Sequence, residues 1–484
     1  MSSSPDSPPA VGESVRIGTG LSPAEGHFQA AVALHRQGRL EEAANRYGLA
    51  LAENPEDARS WGNLGVVLRA QEKVAAAETC YRRTLALDPT NHGAWSNLGN
   101  ALRWMGRLEE GLACQEKSVA LSPEFAEGIY NMGLILHDLG RLDESRAAFD
   151  RVVAMRPERE DVRWDRALSL LLSGDLGTGF TEYEWRWSRP ELKKRYFRQP
   201  RWEGEAIPGQ TLLIHTEQGF GDAIQFLRYA SMAAERSRAM VVVECQPELV
   251  SLITGLPGVA QVVAKGERLP DFHVHLPLLS LPMIFQTTLD TVPAEIPYLS
   301  APAWAGFPVA KPKGTRLSVG LSWAGKPTHK NDRNRSTQVT DFLPLAAFPG
   351  VSLFSLQKGE RAKDRQEQAS GVLIRDLGMG CREFADTAKI MQQLDLIITV
   401  DTAVGHLAGA LGRPVWVLLP FSPDWRWLLH REDSPWYPTM RLFRQQRPGD
   451  WAEVFDRVHA ALAELAGLAP DQILPSTSSD LTKF

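Results

Sequence analysis

The prolines at positions 55, 89, 123 and 157 are spaced by 34 residues each time. Aligning the chain on this period brings glycines into register at 65, 99 and 133, and it aligns Trp61 with Trp95. A fixed period of this length is typical of solenoids, in which each unit is a helical hairpin that cannot bury its apolar face alone. The first part of the chain is therefore predicted to be a stack of helix pairs with one continuous core and a concave groove.

Small and aromatic residues also recur at this period: Ala43, Ala77, Tyr47, Tyr81 and Phe149. Together with the prolines, tryptophans and glycines, they resemble the tetratricopeptide repeat. We predict four clear repeats and a degenerate fifth within residues 21–180. In the third repeat Gly111 and Gln115 stand where alanine and an aromatic residue are usual, and we expect its second helix to be looser.

One polar column runs through the repeats: Asn63, Asn97 and Asn131. An asparagine side chain offers both a donor and an acceptor, which an extended peptide backbone requires. We predict that this column lines the groove and binds protein, and the alternative is that the asparagines are solvated or cap helices. The column is similar to the asparagine ladder of O-linked N-acetylglucosamine transferases, which implies a protein partner.

Composition excludes several classes of protein. A net charge of −5 gives no basic surface for nucleic acid. No apolar run approaches the roughly 18 residues of a membrane helix, and no signal-peptide segment precedes the repeats. The four cysteines form no CxxC pair. We predict a cytoplasmic protein without nucleic-acid binding or a membrane span, and disordered tails at residues 1–20 and 471–484.

The pattern changes beyond the repeats. Residues 181–205 are dense in tryptophan, tyrosine and arginine, and are predicted to be a packed connector, with an acceptor or nucleic-acid surface as the alternative. Short apolar strands then alternate with helical stretches over 206–310 and again over 314–470, which closes with a helix. This alternation predicts two domains with parallel sheets covered on both faces, which face each other across a cleft. The fold class is α followed by α/β.

The first predicted strand leads into a loop that contains Gln218, Gly219, Gly221 and Asp222. A dinucleotide site is disfavoured, because Ile224 occupies the third glycine position and Asp222 would repel a pyrophosphate. Ligands bind at the carboxyl edge of open α/β sheets, so Asp222 is placed to act as a general base. The alternative is a helix cap.

The second α/β domain is predicted to bind an anionic donor. A loop rich in basic residues follows its first strand, and a helix begins directly after the strand that ends at Asp401. A helix N-terminus can hold phosphate but contributes only about 0.3–2 kcal/mol, so basic side chains must share the charge. The predicted donor-binding residues are Ser322, Lys326, Arg333, Arg335, Gln357, Asp401, Thr402, Ala403, Gly405 and His406. For His406, a structural role is the equal alternative.

Three segments together resemble the lipopolysaccharide heptosyltransferases: Gly221-Asp222, the basic loop that ends at Arg335-Ser336, and the run from Asp401 to Pro414. The resemblance implies a GT-B fold of two Rossmann-like domains and inverting transfer from a nucleotide sugar, with Asp222 as the base. No cofactor is expected, and no metal either, because the chain contains no Asp-x-Asp motif.

Some positions depart from that family. Ala403 replaces a usual glycine, Arg335 replaces a usual lysine, and "FSPDWRWL" at 421–428 stands in place of a short turn. Trp425 and Trp427 either shape a pocket or pack in the core. The identity of the donor sugar therefore stays open.

Repeats that precede a transferase resemble a bacterial group that includes flagellin glycosyltransferases. This arrangement implies a protein acceptor in the groove, with flagellin as one candidate, and a nucleotide sugar as the second substrate. The alternatives are a non-catalytic scaffold with a degenerate transferase domain, and transfer to a lipid or polysaccharide acceptor.

Overall fold

The structure is a computed structural model that describes residues 21–190, 192, 194–367 and 370–467. The tails predicted to be disordered, 1–20 and 471–484, lie outside these described residues. The chain divides into two compact units, Met1–Arg156 and Pro157–Phe484.

The described part of the first unit is a helical solenoid in which each helix packs on the next along the chain. Its helices are α1 (Pro23–Arg36), α2 (Leu40–Glu53), α3 (Ala58–Ala70), α4 (Val74–Leu87), α5 (His92–Trp104), α6 (Leu108–Leu121), α7 (Ala126–Asp138) and α8 (Leu142–Met155). The predicted repeat solenoid is confirmed.

The 34-residue period reflects two local contacts. The indole of Trp61 donates to the carbonyl oxygen of Pro55 at 2.8 Å, and Trp95 makes the same bond to Pro89 at 2.9 Å. A β-carbon at Gly65 would lie 2.6 Å from the ring of Tyr81, so glycine is required where the aromatic side chain fills the space between the helices.

The third repeat is not looser than its neighbours, contrary to our expectation. Helix α6 is continuous, and its buried Gln115 donates to the carbonyl oxygen of Ser96 at 2.9 Å. A β-carbon at Gly111 would come within 3.0 Å of the carbonyl oxygen of Gly99, so the small residue lets the two helices approach. Closer helix packing and a polar bond replace the missing aromatic ring.

The helices of the predicted fifth repeat, α9 (Glu160–Ser173) and α10 (Leu176–Glu182), fall in the second unit. Phe180 of α10 lies in an aromatic cluster with Trp425 and Trp436, at ring distances of 5.6 and 6.4 Å. The compact division at Arg156 therefore groups these two helices with the second unit, and the predicted array end at residue 180 stays a prediction.

The described residues of the predicted connector, 181–190, 192 and 194–205, pack against the sheet that follows them. The fully buried Arg186 donates to the carboxylate of Glu217 at 3.0 Å. The backbone N–H of Trp202 donates to the carbonyl oxygen of His275 at 2.9 Å. This segment thereby covers one edge of the first sheet.

Two parallel sheets form the rest of the second unit, as predicted. The first has the order β3-β2-β1-β4 and the second β10-β9-β8-β5-β6-β7. The strands are β1 (Thr211–His215), β2 (Met240–Cys245), β3 (Val259–Ala264), β4 (Val274–Pro277), β5 (Leu317–Ser322), β6 (Val351–Ser355), β7 (Ile374–Asp376), β8 (Leu396–Val400), β9 (Val415–Leu419) and β10 (Met440–Arg444). The accompanying helices are α11 (Phe220–Phe226), α12 (Arg228–Ser237), α13 (Val250–Ile253), α14 (Leu281–Ile284), α15 (Asp332–Arg335), α16 (Asp364–Glu367), α17 (Phe384–Met391), α18 (Ala403–Ala410) and α19 (Trp451–Leu465).

The continuous apolar strands predict burial on both faces. Every residue of β1, β8 and β9 is buried accordingly, and α19 covers the second sheet through Val454, Val458 and Leu462. Arg228 of α12 connects the first sheet's region to the second's. It donates to the carbonyl oxygen of Pro293, between β4 and β5, at 2.6 Å and to that of Trp436, between β9 and β10, at 2.7 Å.

Candidate functional site

The loops that follow β1 and β8 meet where the two sheets face each other. Helices α11 and α18 pack on one another there. A β-carbon at Gly221 would lie 2.9 Å from Cδ2 of His406 and 3.7 Å from the α-carbon of Ala403. The structure thus brings together two loops that sequence analysis assigned separately to acceptor and donor sites.

Asp222 belongs to the first turn of α11 and makes two interactions. Its Oδ2 accepts the N–H of Gly219 at 2.9 Å, so the carboxylate closes the helix start. Its Oδ1 forms an ion pair with Arg426, which lies between β9 and β10. The side chain keeps 21% of its surface exposed. Asp222 therefore caps the helix and is still accessible to a ligand.

Arg426 is the central cation of this site, and the sequence analysis did not identify it. Its guanidinium donates to Oδ1 of Asp424 at 2.8 Å and to Oε1 of Gln225 at 2.6 Å, in addition to its pair with Asp222. Arg426 also lies 4.4 Å from the ring centre of Trp425. Because Asp424 and Arg426 follow β9, the carboxyl edge of that strand was the available signal.

The pKa values of Asp401 and Asp424 are shifted in opposite directions. Burial, and then the negative charge of Asp424, raise the pKa of Asp401 to about 6, although Arg335 and Trp427 act in the other direction. Burial would also raise the pKa of Asp424, but Arg426 outweighs it, so that pKa lies below its ordinary value. Two neighbouring carboxyls therefore differ in their affinity for a proton.

The basic loop contributes Arg335 to the cluster. The side chain of Arg335 is 16% exposed and lies 3.7 Å from Asp332, and its charge acts on Asp401. Lys326 and Arg333 are exposed in the same loop. Of the three predicted basic residues, Arg335 is the partly buried one, whereas Lys326 and Arg333 are exposed.

His329, in the same loop, was also missed. Partial desolvation by the surrounding protein, and then the positive charge of Arg335, lower the pKa of His329, although the residue is exposed. Asp424, Asp332 and Asp222 act to raise it, which indicates that the loop faces the same carboxylates.

Ser322 and Gln357 lie beneath this loop in a buried network. The Oε1 of Gln357 accepts the Ser322 hydroxyl at 3.2 Å and the N–H groups of Trp323 and Ala324, both at 3.0 Å. Its Nε2 donates to the carbonyl oxygens of Ala324 at 2.9 Å and Lys358 at 3.1 Å. The amide is fully engaged, so these two residues are placed to hold the basic loop rather than to contact a ligand.

His406 has a buried ring between two aromatic neighbours. Its Nδ1 lies 3.1 Å from the hydroxyl of Tyr437, and its ring stacks on Trp427 at 5.2 Å. Burial, and then the charge of Arg426, lower the pKa of His406 to about 3, so the ring is neutral. Its Cδ2–Nε2 edge faces Gly221.

The start of α18 is suited to an anion. Thr402 is the N-cap residue, but its side chain makes no capping hydrogen bond and contacts the Thr399 hydroxyl instead, at 3.1 Å. Gly405 is buried, and a β-carbon there would lie 3.3 Å from the methyl group of Thr399. The N–H of Gly405 donates to the carbonyl oxygen of Thr402 at 3.0 Å, so the N–H groups of Ala403 and Val404 are the ones that this first turn offers to a ligand.

The two tryptophans of 421–428 pack in the core. Trp425 is 3% exposed, lies 6.1 Å from the ring of Tyr183, and belongs to the aromatic cluster around Phe180. Trp427 is completely buried. The hydroxyl of Tyr183 also bonds with Gln218, so the predicted acceptor loop is anchored to the connector.

The asparagine column of the first unit is half-buried. Nδ2 of Asn131 donates to the hydroxyl of Ser96 at 3.0 Å. Within the described residues, no side-chain hydrogen bond involves Asn63 or Asn97. Two of the three amides are therefore available to a ligand.

Among the described residues, no cluster of three or more histidine, cysteine or acidic side chains has the arrangement of a metal site. None of the described helices has the length and apolar character of a membrane span.

The chain matches two families in part. The tetratricopeptide repeat profile matches residues 28–92, 66–126 and 130–183, which includes α9 and α10. The profile of glycosyltransferase family 9 (heptosyltransferase) matches residues 353–423, which includes Asp401 and His406 but neither Asp222 nor Arg426.

Protein FlbA of Caulobacter vibrioides is 27% identical over 334 residues, which cover 63% of this chain and 55% of FlbA. The chain thus spans about half the length of this curated relative. The predicted architecture, repeats followed by a region like glycosyltransferase family 9, is confirmed.

Solved structures similar to this chain include a MamA fragment (41-end) of Desulfovibrio magneticus, at 20% identity and a TM-score of 0.33, covering 36% of this chain and 99% of that fragment. PilF of Pseudomonas aeruginosa is 21% identical with a TM-score of 0.31, covering 34% of this chain and 74% of PilF. TM-scores this low support no conclusion.

Proposed function

We propose that the protein transfers a sugar from a nucleotide-sugar donor to a protein acceptor held by its repeats, in a GT-B-type second unit. The observation that carries the proposal is the contact of Gly221 with His406 and Ala403. It joins a carboxylate-bearing loop of one parallel sheet to an uncapped helix start of the other, which is where open α/β sheets bind ligands.

Asp222 is the proposed general base. It would take the proton from an acceptor hydroxyl while that oxygen bonds to the anomeric carbon of the donor sugar. The bond from this carbon to the diphosphate oxygen breaks in the same step, and the electron pair leaves with the nucleotide. Attack opposite to the leaving group inverts the anomeric carbon, and the proposed reaction requires no metal ion.

The donor diphosphate would be held by the first turn of α18 and by Arg335. Because His406 is neutral, it can donate one hydrogen bond but supplies no positive charge. Arg335 and Arg426 supply positive charge where α11 and α18 meet, and together they would offset the negative charge that develops on the leaving group.

The test begins with a screen of nucleotides and nucleotide sugars for thermal stabilisation of the protein. Saturation at 100 times Kd stabilises by about 2.7 kcal/mol. With the donor identified, Asp222→Asn should lower turnover by about 10²–10⁴ and preserve donor binding. Asp433→Asn is the matched control, because Asp433 pairs with Arg431 at the surface with 71% of its side chain exposed.

The ion pair between Asp222 and Arg426 is the observation that favours the alternative, a non-catalytic scaffold. On that alternative Asp222 only caps α11 and joins the two halves. Near-normal turnover of Asp222→Asn, or a folded protein that binds no nucleotide sugar, would support the scaffold.

The repeats are the proposed acceptor site. Asn63→Ala and Asn97→Ala together should weaken acceptor binding, because each lost hydrogen bond costs about 0.5–1.5 kcal/mol. Asn131→Ala is the comparison, since Asn131 is already bonded to Ser96. Donor hydrolysis by water should not change. Normal transfer by the double variant at subsaturating protein acceptor would contradict this role, and an acceptor that proves to be a lipid or polysaccharide would assign the groove another partner.

A further inference from the structure

A cavity of about 440 Å³ lies at the carboxyl end of the first sheet, apart from the residues assigned above. Its lining includes His215 at the end of β1, Glu244 of β2 and Lys265 just after β3. Trp187 and Arg195 of the connector line it from the other side. Its volume lies within the range of about 300–1,000 Å³ of ligand pockets.

Buried polar atoms without partners face this cavity. His215 is 2% exposed, and neither of its ring nitrogens has a hydrogen-bond partner among the described residues. The Oε1 of Glu217 accepts from Arg186 at 3.0 Å and from the N–H of Leu279 at 3.2 Å, but Oε2 is buried and unpaired within the same described part of the chain. Because buried polar groups are normally hydrogen-bonded, these atoms indicate a ligand that would complete them.

Both acidic groups of the lining have an arginine partner. Arg195 forms an ion pair with Glu244, the buried Arg186 forms one with Glu217 at 3.0 Å, and Lys265 also belongs to the lining. Burial, and then the charge of Arg195, lower the pKa of His215 to about 3, so its ring is neutral with one donor and one acceptor. Burial raises the pKa of Glu217 to about 7, so this carboxyl can also donate.

These pairings bear on the class of ligand. A phosphate would meet the carboxylate of Glu244, and an amine would meet the cations of Arg195 and Lys265. A hydroxyl group, which both donates and accepts, fits a lining that offers donors and acceptors with little net charge. The indole of Trp187 adds an aromatic surface, against which the C–H face of a sugar ring can pack.

We propose that this cavity binds one neutral, hydroxyl-rich sugar unit through His215 and Glu217. Glu217 lies in the loop between β1 and α11, and Asp222 lies in the first turn of α11, so the bound sugar would lie on the acceptor side of the site. Its assignment to the acceptor rests on the proposed function, and the acceptor would then already carry a sugar. The binding itself does not depend on that function.

The test is binding of methyl glycosides of glucose, galactose, mannose and N-acetylglucosamine to the full chain, measured by saturation-transfer NMR. Methyl phosphate and methylamine are the charged probes. His215→Phe should weaken glycoside binding at least tenfold. His275→Phe is the matched control, because His275 lies on the adjacent strand, 5.5 Å from His215, and is not part of the lining.

Binding of at least one glycoside that persists in His275→Phe and is lost in His215→Phe supports the proposal. Trp187→Ala, at a half-buried position, should weaken binding of the same glycoside. It replaces His215→Phe if that variant does not fold. The proposal is overturned if no glycoside binds, if binding survives both lining variants, or if a charged probe binds in place of the glycosides. Nucleotide-sugar binding is measured on the same samples. If no nucleotide sugar binds while glycoside binding depends on His215, the proposed transferase function fails and the cavity assignment stands.

Discussion

Arg426→Gln should destabilise the second unit much more than Arg431→Gln does. Arg426 is 6% exposed and pairs with Asp222 and with Asp424, at 2.8 Å in the latter case. Removing one partner of a fully buried ion pair costs about 3–5 kcal/mol, and the loss here should be smaller because the side chains of Asp222 and Asp424 keep 21% and 37% of their surface exposed. Arg431 pairs only at the surface with Asp433, an interaction worth about 0–1 kcal/mol.

The loss of stability in Arg426→Gln should depend on pH because Arg426 sets the pKa of Asp424. Arg426 holds the pKa of Asp424 below its ordinary value against the effect of burial. A depressed carboxyl pKa contributes stability above the unfolded pKa, and this contribution is lost as the pH falls. Without Arg426, burial raises the pKa instead, so protonation relieves the variant. The difference in unfolding free energy between wild type and Arg426→Gln should therefore narrow as the pH falls toward the ordinary carboxyl pKa of about 4.

The assay is denaturant unfolding followed by tryptophan fluorescence, to which the buried Trp425 beside Arg426 contributes. Arg426→Gln combined with Asp424→Asn should recover part of the loss, because one unpaired carboxylate is removed. A loss at neutral pH within about 1 kcal/mol of that for Arg431→Gln would refute the buried-pair argument. A difference that does not narrow in acid would refute the electrostatic explanation.

Two further substitutions test local geometry and titration. Gly221→Ala should cost about 1–3 kcal/mol by overpacking, because its β-carbon would lie 2.9 Å from His406, whereas Gly177→Ala, with nothing within 4 Å, should be nearly neutral. Thermal unfolding of both variants checks this, and equal melting temperatures would contradict it. Glu217 has its pKa raised from 4.5 to about 7, so its contribution to stability is present below the ordinary value and is lost as the pH rises through about 7. Glu217→Gln lacks this loss, which is at most about 3 kcal/mol, and should gain stability relative to wild type from about pH 5 to about pH 8. Parallel melting profiles of Glu217→Gln and wild type would contradict this expectation.

The repeats were predictable from the sequence because each contact that maintains them is local. Trp61 reaches the carbonyl oxygen of Pro55, six positions away, and Gly65 faces an aromatic ring of the next helix. The third repeat shows the limit of this reasoning. A glutamine in place of an aromatic residue predicted loosening, but whether Gln115 finds a partner depends on the carbonyl group of Ser96, which no spacing reveals.

The α/β half was predictable as far as the strand ends, since continuous apolar runs predict buried parallel strands and polar residues after them mark the carboxyl edges. The pairing of those polar residues was not predictable. Asp222 and Arg426 are 204 positions apart, so no sequence window contains both. The compact division at Arg156 has the same origin, because Phe180 packs against Trp425 from the far end of the chain.

The shared ion pair sets a condition on the interpretation of any Asp222 variant. Asp222→Asn removes both the proposed base and the pair with Arg426, so its loss of activity alone cannot separate chemistry from structure. Arg426→Gln removes the pair but leaves the carboxylate. If Asp222 acts as a base, Arg426→Gln should retain more transferase activity than Asp222→Asn at a temperature where both are folded. If Asp222 only joins the two α/β regions, both variants should lose activity in proportion to their loss of stability, and Arg426→Gln should lose more because it leaves two carboxylates, Asp222 and Asp424, without their cation. The order of the two activities, measured with saturating donor, therefore decides between the base and the structural role.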